Sequence, residues 1–470
     1  MELRKKTEEY MYFAERLFTY LFIVYAILST NSFFYGTKVI SVFMWTSFLL
    51  GFLIICYRAV HYKNYLEMPG LKILIVLLFS IIFSTLVNYK YSFKRNVIFC
   101  IYWAIYFLIF YTRKSKTTIA EIKKEYGNFA VFFVVYTTIS VIVGLILFFT
   151  GYSKTFVAND TGYVYYAGFA IGRLTGTFIN MNNGAITVAA AVPLMIFIIT
   201  KVNRKSLKIL LAIDISVHLL FIALTDSRSG AVCIGVICGV GVMMFLLHKF
   251  NNRKLLFKGL ILLLSVLIAV GAYMIPRQMK NVYNNVSILI SSNETDETTE
   301  EKNDVAIIDR GYSTSGDISN RRFNVWGSAI EIYTSSLKTF MIGTGYSGLV
   351  EYAGEVVPDT YILTNDLGEL RTLDNEIFNI MVAQGSLGLT IFGVFVVYIL
   401  ILFFKKFNAI SKENITIISV MVSVVVGLSV SAMFMGVMFY HFSQNVVVFW
   451  ISLGSIVCIL NNQKVKKDDI

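Results

Sequence analysis

Twelve stretches of apolar sequence, most near the ~20 residues a helix needs to cross a ~30 Å hydrocarbon layer, dominate this chain. They run roughly over 13–36, 39–57, 70–88, 97–112, 129–150, 184–200, 207–224, 230–247, 255–275, 378–404, 414–435 and 437–460. The fourth is short, and little more than Met435-Gly436 divides the last two. Runs such as Leu255–Tyr273 are unbroken rather than alternating, which excludes an outer-membrane barrel. Charged residues make up only 15% of the 470, against roughly 25% in a soluble domain, and mean hydropathy is +0.68. A soluble globular chain and a disordered one are both excluded. The sequence therefore reads as an all-α polytopic membrane protein of about twelve transmembrane helices. Residues 1–275 hold the first nine, 276–374 form one large extracytoplasmic loop, and 375–470 hold the last three.

The basic residues orient this bundle. With the N-terminus in the cytoplasm, 26 of the 41 Lys and Arg fall on the cytoplasmic side, among them Arg58, Arg113, Lys201, Lys249 and Lys406. The short outer loops hold 7 and the long loop 8. The net charge of +12 is thus mostly a topology signal, and nucleic-acid binding is not needed to explain it. An even span count puts both termini on the cytoplasmic side. The long loop has the opposite balance, 15 acidic residues against 8 basic, and six of the acids crowd into Asn293–Asp304, a solvated stretch. A helix-like patch at Arg321–Tyr333 suggests that the rest folds over the membrane mouth. All five cysteines lie in expected spans, so no disulfide framework or external cysteine metal site is available. The basic start runs into a long span without a small-residue cleavage site, and no repeat or inverted pair of broken helices is visible.

Chemistry at the outer face needs polar groups at the outer ends of helices, and four clusters stand there. Arg173 through Asn183, with Gly172, Gly176, Asn180, Asn182 and Asn183, precedes the sixth span. An arginine fork and a helix start suit an oxyanion; the plainer reading is a polar turn with an Asn cap. Thr225–Gly230 is the tight turn between spans seven and eight and puts Arg228 at head-group height, as a phosphate ligand or an interfacial anchor. Asn320-Arg321-Arg322-Phe323-Asn324-Val325-Trp326 makes a positive spot in an acidic loop, for a ligand or simply as solvated charge. Asp374-Asn375-Glu376 stands where the chain re-enters the membrane. Asp374 suits a proton acceptor or a helix cap, and Glu376 a first helical turn. Within span seven, Asp214 and His218 share a helix face as a proton relay or an interhelical contact, nearer the cytoplasmic side. His441 begins the last span near the outer face.

The four clusters carry a family likeness. Asp374-Asn375, nine residues, then Gly385-Ser386-Leu387-Gly388 resembles the re-entry motif of the O-antigen ligase/polymerase family, and Thr225–Gly230 is similar to its Ser-Arg turn. Arg173 through Asn183 resembles its Arg-x-x-Gly-x-Phe-x-x-x-Asn segment; Arg321, Trp326 and Gly343-Thr344-Gly345 resemble the Arg, Trp and Gly-x-Gly of its outer loop. The resemblance spans about 170 to 400 and implies a fold similar to C-type glycosyltransferases. It implies an integral membrane glycosyltransferase of the bacterial cytoplasmic membrane, without cofactor, metal or nucleotide sugar. Its donor would be an undecaprenyl-diphosphate-linked oligosaccharide and its other partners a growing polysaccharide chain, membrane lipids, a flippase and a chain-length regulator. Ligases of the family carry His where this chain has Asp374, which favours a polymerase making capsule, exopolysaccharide or O-antigen chains; a ligase and a flippase or exporter are the alternatives. On this reading Asp374 and Arg228 are catalytic. Arg173, Asn180, Asn183, Arg321, Arg322 and Asn375 bind substrate.

Overall fold

The computed structural model describes residues 2–158, 164–293, 307–308, 321–365 and 370–463. The acidic run at 294–304, Asn320 and the C-terminal lysines lie outside the described residues. Each of the twelve expected spans contains a helix: α1 (Glu2–Ser29), α2 (Lys38–Val60), α3 (Leu71–Val87), α4 (Phe93–Ile105), α5 (Ile119–Phe149), α6 (Met181–Lys201), α7 (Lys205–Thr225), α8 (Arg228–Lys249) and α9 (Leu255–Asn293). After the loop helices α10 (Arg322–Thr334), α11 (Leu337–Ile342), α12 (Leu349–Val356) and α13 (Tyr361–Thr364) come α14 (Glu376–Lys406), α15 (Ile415–Ser431) and α16 (Gln444–Asn461). Ten described helices are long and apolar enough to cross a membrane; α3 and α15 are shorter apolar helices.

Burial sorts the helices into layers. Every residue of α16 from Gln444 to Leu460 is buried, and α6 and α15 flank it in the centre. The outer helices α2, α9 and α14 expose rows of Leu, Val, Ile and Phe, as lipid-facing surfaces do. Small residues set the close approaches. A methyl group added at Gly230 of α8 would come within 2.6 Å of the Ala185 side chain on α6. Where α8 runs away from its start, α15 runs back toward it, with Gly427 against Ile237.

The two ends of the bundle differ. One end carries the basic residues: Arg58 pairs with Glu15 at 3.0 Å, and Arg113 with Glu125 at 3.3 Å. There α4 continues into a π-helical turn over Tyr106–Tyr111, which leaves carbonyls unpaired. Arg58 Nη1 donates to three of them or their neighbours: Leu108, Ile109 at 3.3 Å and Thr112 at 3.1 Å. The other end carries the loops and all four polar clusters.

Three features depart from expectation. Residues 151–180 are not simple loop: β1 (Ser153–Val157), β2 (Val164–Ala170) and β3 (Arg173–Gly176) form an antiparallel sheet in that order. The ninth helix does not stop near 275 but passes through Pro276 to Asn293, because its tail finds protein partners: Tyr283 packs on Phe148 and Asn284 exchanges two 2.9 Å hydrogen bonds with Ile308. The last two spans are divided not by two residues but by an irregular, largely buried segment between Ser431 and Gln444. Non-helical backbone inside a bundle needs partners for its N–H groups, and Glu376 supplies them.

Candidate functional site

The site is built where α6, α8, α10 and α14 begin. Asn180 caps α6, its Oδ1 accepting from Asn182 N (2.9 Å) and Asn183 N (3.1 Å). Asn182 points to the neighbouring turn: its Oδ1 accepts from Arg173 Nη2 at 3.1 Å and Ser227 Oγ at 2.9 Å. Arg173 Nε donates to the Thr225 carbonyl at 2.7 Å. Ser227 in turn caps α8 through Gly230 N at 3.1 Å. The first two clusters are therefore one assembly, in which Arg173 from β3 ties the Thr225–Gly230 turn to the α6 start. Asn183 is buried and accepts from Asn445 Nδ2 at 2.6 Å, joining α6 to α16.

Arg228 is exposed at the first position of α8. It lines a cleft of about 170 Å³ with Asp226, Arg277 and Lys280. Lys280 pairs with Asp226 at 3.2 Å and Arg277 donates to Tyr273 Oη at 3.0 Å. Both added cations sit on the tail of α9 that the sequence reading assigned to a loop. Their spacing of three residues on a continued helix was the signal available.

Three consecutive residues at the start of α14 take three separate duties. Asn375, not Asp374, is the cap: its Oδ1 accepts from Ile377 N (2.9 Å) and Phe378 N (3.3 Å), and its Nδ2 donates to Met433 O (3.1 Å). Glu376 is buried. Its Oε1 accepts from the consecutive backbone N–H groups of Met438 (3.2 Å), Phe439 and Tyr440 (3.1 Å), and Oε2 accepts from Asn379 Nδ2 at 3.2 Å. It is an anchor for the irregular segment rather than a first-turn charge. Asp374 sits just before the cap with φ 49°, a left-handed conformation that Asp tolerates at some cost. Among the described residues its carboxylate accepts no hydrogen bond and closes no ion pair. Burial pushes its carboxyl above the ordinary carboxylate range, opposed by the Arg322 guanidinium nearby.

Arg322 and Trp326 lie one helical turn apart on α10, which begins as expected. The Arg322 guanidinium lies 5.8 Å from the centre of the Phe434 ring, and Trp326 stacks on Phe378 at 5.5 Å. Arg322 Nε and Trp326 Nε1 are buried without a hydrogen-bond partner among the described residues. Phe434 follows α15, at the same end of the α8–α15 pair as Arg228. Arg321 takes a left-handed φ of 66° at the N-cap of α10.

The glycine motifs form a joint behind the site. Gly343 (φ 80°), Gly345 (φ 74°) and Gly385 (φ 65°) occupy conformations that favour glycine. Thr344 N and Gly345 N donate to the carbonyls of Val382 (2.9 Å) and Ala383 (3.0 Å), where α14 breaks at Gly385. A methyl group at Gly343 or Gly385 would overlap the opposing backbone. The loop is thereby keyed into α14, and Asp374 is held against α10.

Residues 215–393 match the family model described as O-antigen ligase. The match supports an O-antigen ligase/polymerase-family assignment. No curated protein matches the chain. The matched residues take in the Arg228 turn, α10, the glycine joint and Asp374–Gly388, while Arg173, Asn180 and Asn183 precede them. Members of the family are glycosyltransferase-like enzymes acting on polysaccharide and lipid-linked substrates, and the apolar helices agree with a membrane protein.

A second concavity at this end was not foreseen. An open cavity of about 800 Å³ is lined by α1, α2, the sheet, the α6 start and the segment after α15. Asn180 and Asn183 line it, with Tyr346, Tyr440 and His441. His441 is therefore not at a helix start. Asp214 and His218 lie apart from all of this: Asp214 Oδ2 accepts from Thr138 Oγ1 at 2.6 Å, which joins α7 to α5, and His218 Nδ1 lies 2.9 Å from the Asp214 carbonyl oxygen and 3.1 Å from its Oδ1.

Proposed function

We propose that this protein is a polymerase that joins undecaprenyl-diphosphate-linked oligosaccharide repeat units at the outer face of the bacterial cytoplasmic membrane. The observation that carries the reading is the division of labour at Asp374-Asn375-Glu376. The neighbours take the structural duties, and Asp374 is held beside Arg322 with its carboxylate uncommitted. The charge bias supports an outward-facing site, since the opposite end of the bundle carries the Lys/Arg excess.

In the reaction, Arg228, aided by Arg277 and Lys280, holds the donor diphosphate. Arg173 keeps the Arg228 turn in place through Thr225 and adds positive charge. Asp374 takes the proton from the acceptor sugar hydroxyl. The hydroxyl oxygen forms the new bond to the anomeric carbon of the donor, with inversion. The bond from that carbon to the phosphate oxygen breaks, and undecaprenyl diphosphate leaves with the electron pair. Arginines poised at the departing oxygens stabilise the charge that develops there. Burial of Asp374 raises its basicity, which suits a general base. Arg321 and Arg322 complete the acceptor side.

The experiment is complementation of a deletion strain. Loss of the protein accumulates single repeat units, and Arg228→Ala, though present in the membrane, fails to restore long chains. Long unattached chains in the deletion strain would instead select a ligase, and an unchanged ladder with Arg228→Ala would remove that arginine from the mechanism.

A further inference from the structure

The cationic cleft and the 800 Å³ cavity share one end of the bundle and differ in chemistry. The cleft gathers three cations around one carboxylate. The cavity is lined by Tyr25, Tyr35, Tyr165, Tyr346 and Tyr440, by small hydroxyl and amide side chains and by apolar ones such as Met44, Phe99 and Ile179; among the described residues no Lys, Arg, Asp or Glu lines it. The start of α6 divides the two. Asn182 bonds to the arginine turn on one side, while Asn180 and Asn183 line the cavity on the other.

We infer that the aromatic cavity is the binding site for the non-reducing end of an uncharged acceptor glycan. A sugar ring has an apolar C–H face and a rim of hydroxyls, which suits tyrosines that offer a ring face and a polar tip. The volume lies within the ~300–1,000 Å³ of sites that enclose a drug-sized ligand, the scale of a short oligosaccharide. A diphosphate is a poor occupant, since the described lining offers no Lys or Arg.

The walls are preorganised. Glu376 grips the backbone of 438–440, and Tyr440 Oη accepts from Gln384 Nε2. Tyr440 stacks on Tyr346 at 4.3 Å with 19° between the rings. Phe442 stacks on Tyr102 at 4.5 Å and 9°. Rings fixed before binding lose little entropy on binding. Tyr346 also connects the cavity to the reacting end: burial foremost, and then the charges of Glu376 and Asp374, push its phenol up. His441 presents open ring surface to the cavity, and among the described residues neither ring nitrogen has a hydrogen-bond partner. An acceptor seated here delivers its terminal hydroxyl toward Asp374 while the donor diphosphate occupies the cleft beyond α6.

This inference rests on the polymerase reading, and its test separates the two. Thr37 and Ser41 lie one turn apart on the cavity side of α2, both exposed; Thr37 makes no side-chain capping hydrogen bond. Thr37→Trp and Ser41→Trp therefore fill the cavity without removing a fold contact. In the deletion strain, chains longer than one repeat should fall about tenfold. Binding of undecaprenyl diphosphate to the purified full-length protein in nanodiscs, read by thermal shift, should match wild type. Ser41→Cys provides a check independent of folding. Activity in membranes should drop when a bulky methanethiosulfonate is attached and return on reduction, with wild type treated alike. Wild-type ladders from both Trp variants and no effect of the thiol block would overturn the inference. Loss of undecaprenyl diphosphate binding in the Trp variants would overturn it too, by making the cavity the donor's. Intact ladders with Arg228→Ala but shortened ladders with Thr37→Trp would remove the donor assignment and leave the acceptor cavity standing.

Discussion

The two ends of the bundle both hold arginines close to carboxylates, and they use them differently. At the basic end, Arg58 is consumed by the protein: it pairs with Glu15 and closes the carbonyls that the π-helical turn leaves open. At the loop end, Arg322 keeps a buried Nε without a partner and Asp374 accepts no hydrogen bond among the described residues. A buried polar group left unpaired costs about 1–3 kcal/mol. On the proposed function, a fold that satisfies its backbone at Arg58 and Glu376 but leaves Arg322 and Asp374 open keeps those two side chains for a ligand.

Substitutions can break that contrast. The largest effect is expected for Asp374→Asn, which should lower polymer formation about 10²–10⁴-fold with protein levels unchanged, read as chain growth in membranes. Wild-type polymer would make Asp374 a bystander. Next, Arg58→Ala should destabilise by about 1–3 kcal/mol, since buried carbonyls at Leu108, Ile109 and Thr112 lose their donor and the half-buried Glu15 loses its nearest partner. Thermal unfolding checks this, and chain growth per folded molecule should stay the same. If Arg58→Ala instead lowers turnover at full stability, the two ends are not divided as described.

The smallest effect sharpens the role of Asp374. Burial raises its pKa, so the native state binds that proton more tightly than the unfolded chain. This contribution to stability is present at acid pH and is lost as pH rises from the ordinary carboxylate range through the raised value. Asp374→Asn should therefore be slightly more thermostable than wild type above that window, and equal to it below. Wild-type activity should fall on its acid limb at a pH above the ordinary carboxylate range, because the base must be ionised.

The sequence reading reached the helices because hydropathy is a local property: a run such as Leu255–Tyr273 announces a span whatever packs on it. It singled out Arg173, Arg228, Arg322 and Asp374 as candidates because phosphate and proton chemistry draw on few residue types at helix ends. It missed Glu376, since an acid in a first turn looks like a dipole partner until the buried segment it anchors is seen. It missed Arg277 and Lys280, since Pro276 and falling hydropathy both read as a helix end. The cap was placed on the wrong side of a boundary: Asp374 and Asn375 are equally good candidates by type, and only the left-handed turn before the helix separates them.

Composition and periodicity by themselves determined that this chain is a many-helix membrane protein with a basic end and a loop end, because each span must satisfy its own backbone in lipid and carry its own apolar surface. Tertiary structure decided which polar residues are spent and which are left open. Hydrogen-bond partners such as Glu376 with 438–440, or Arg173 with Thr225, lie tens or hundreds of residues apart in the chain. The aromatic cavity exists only where α1, α2, the sheet and the segment after α15 meet, and no window along the sequence contains it.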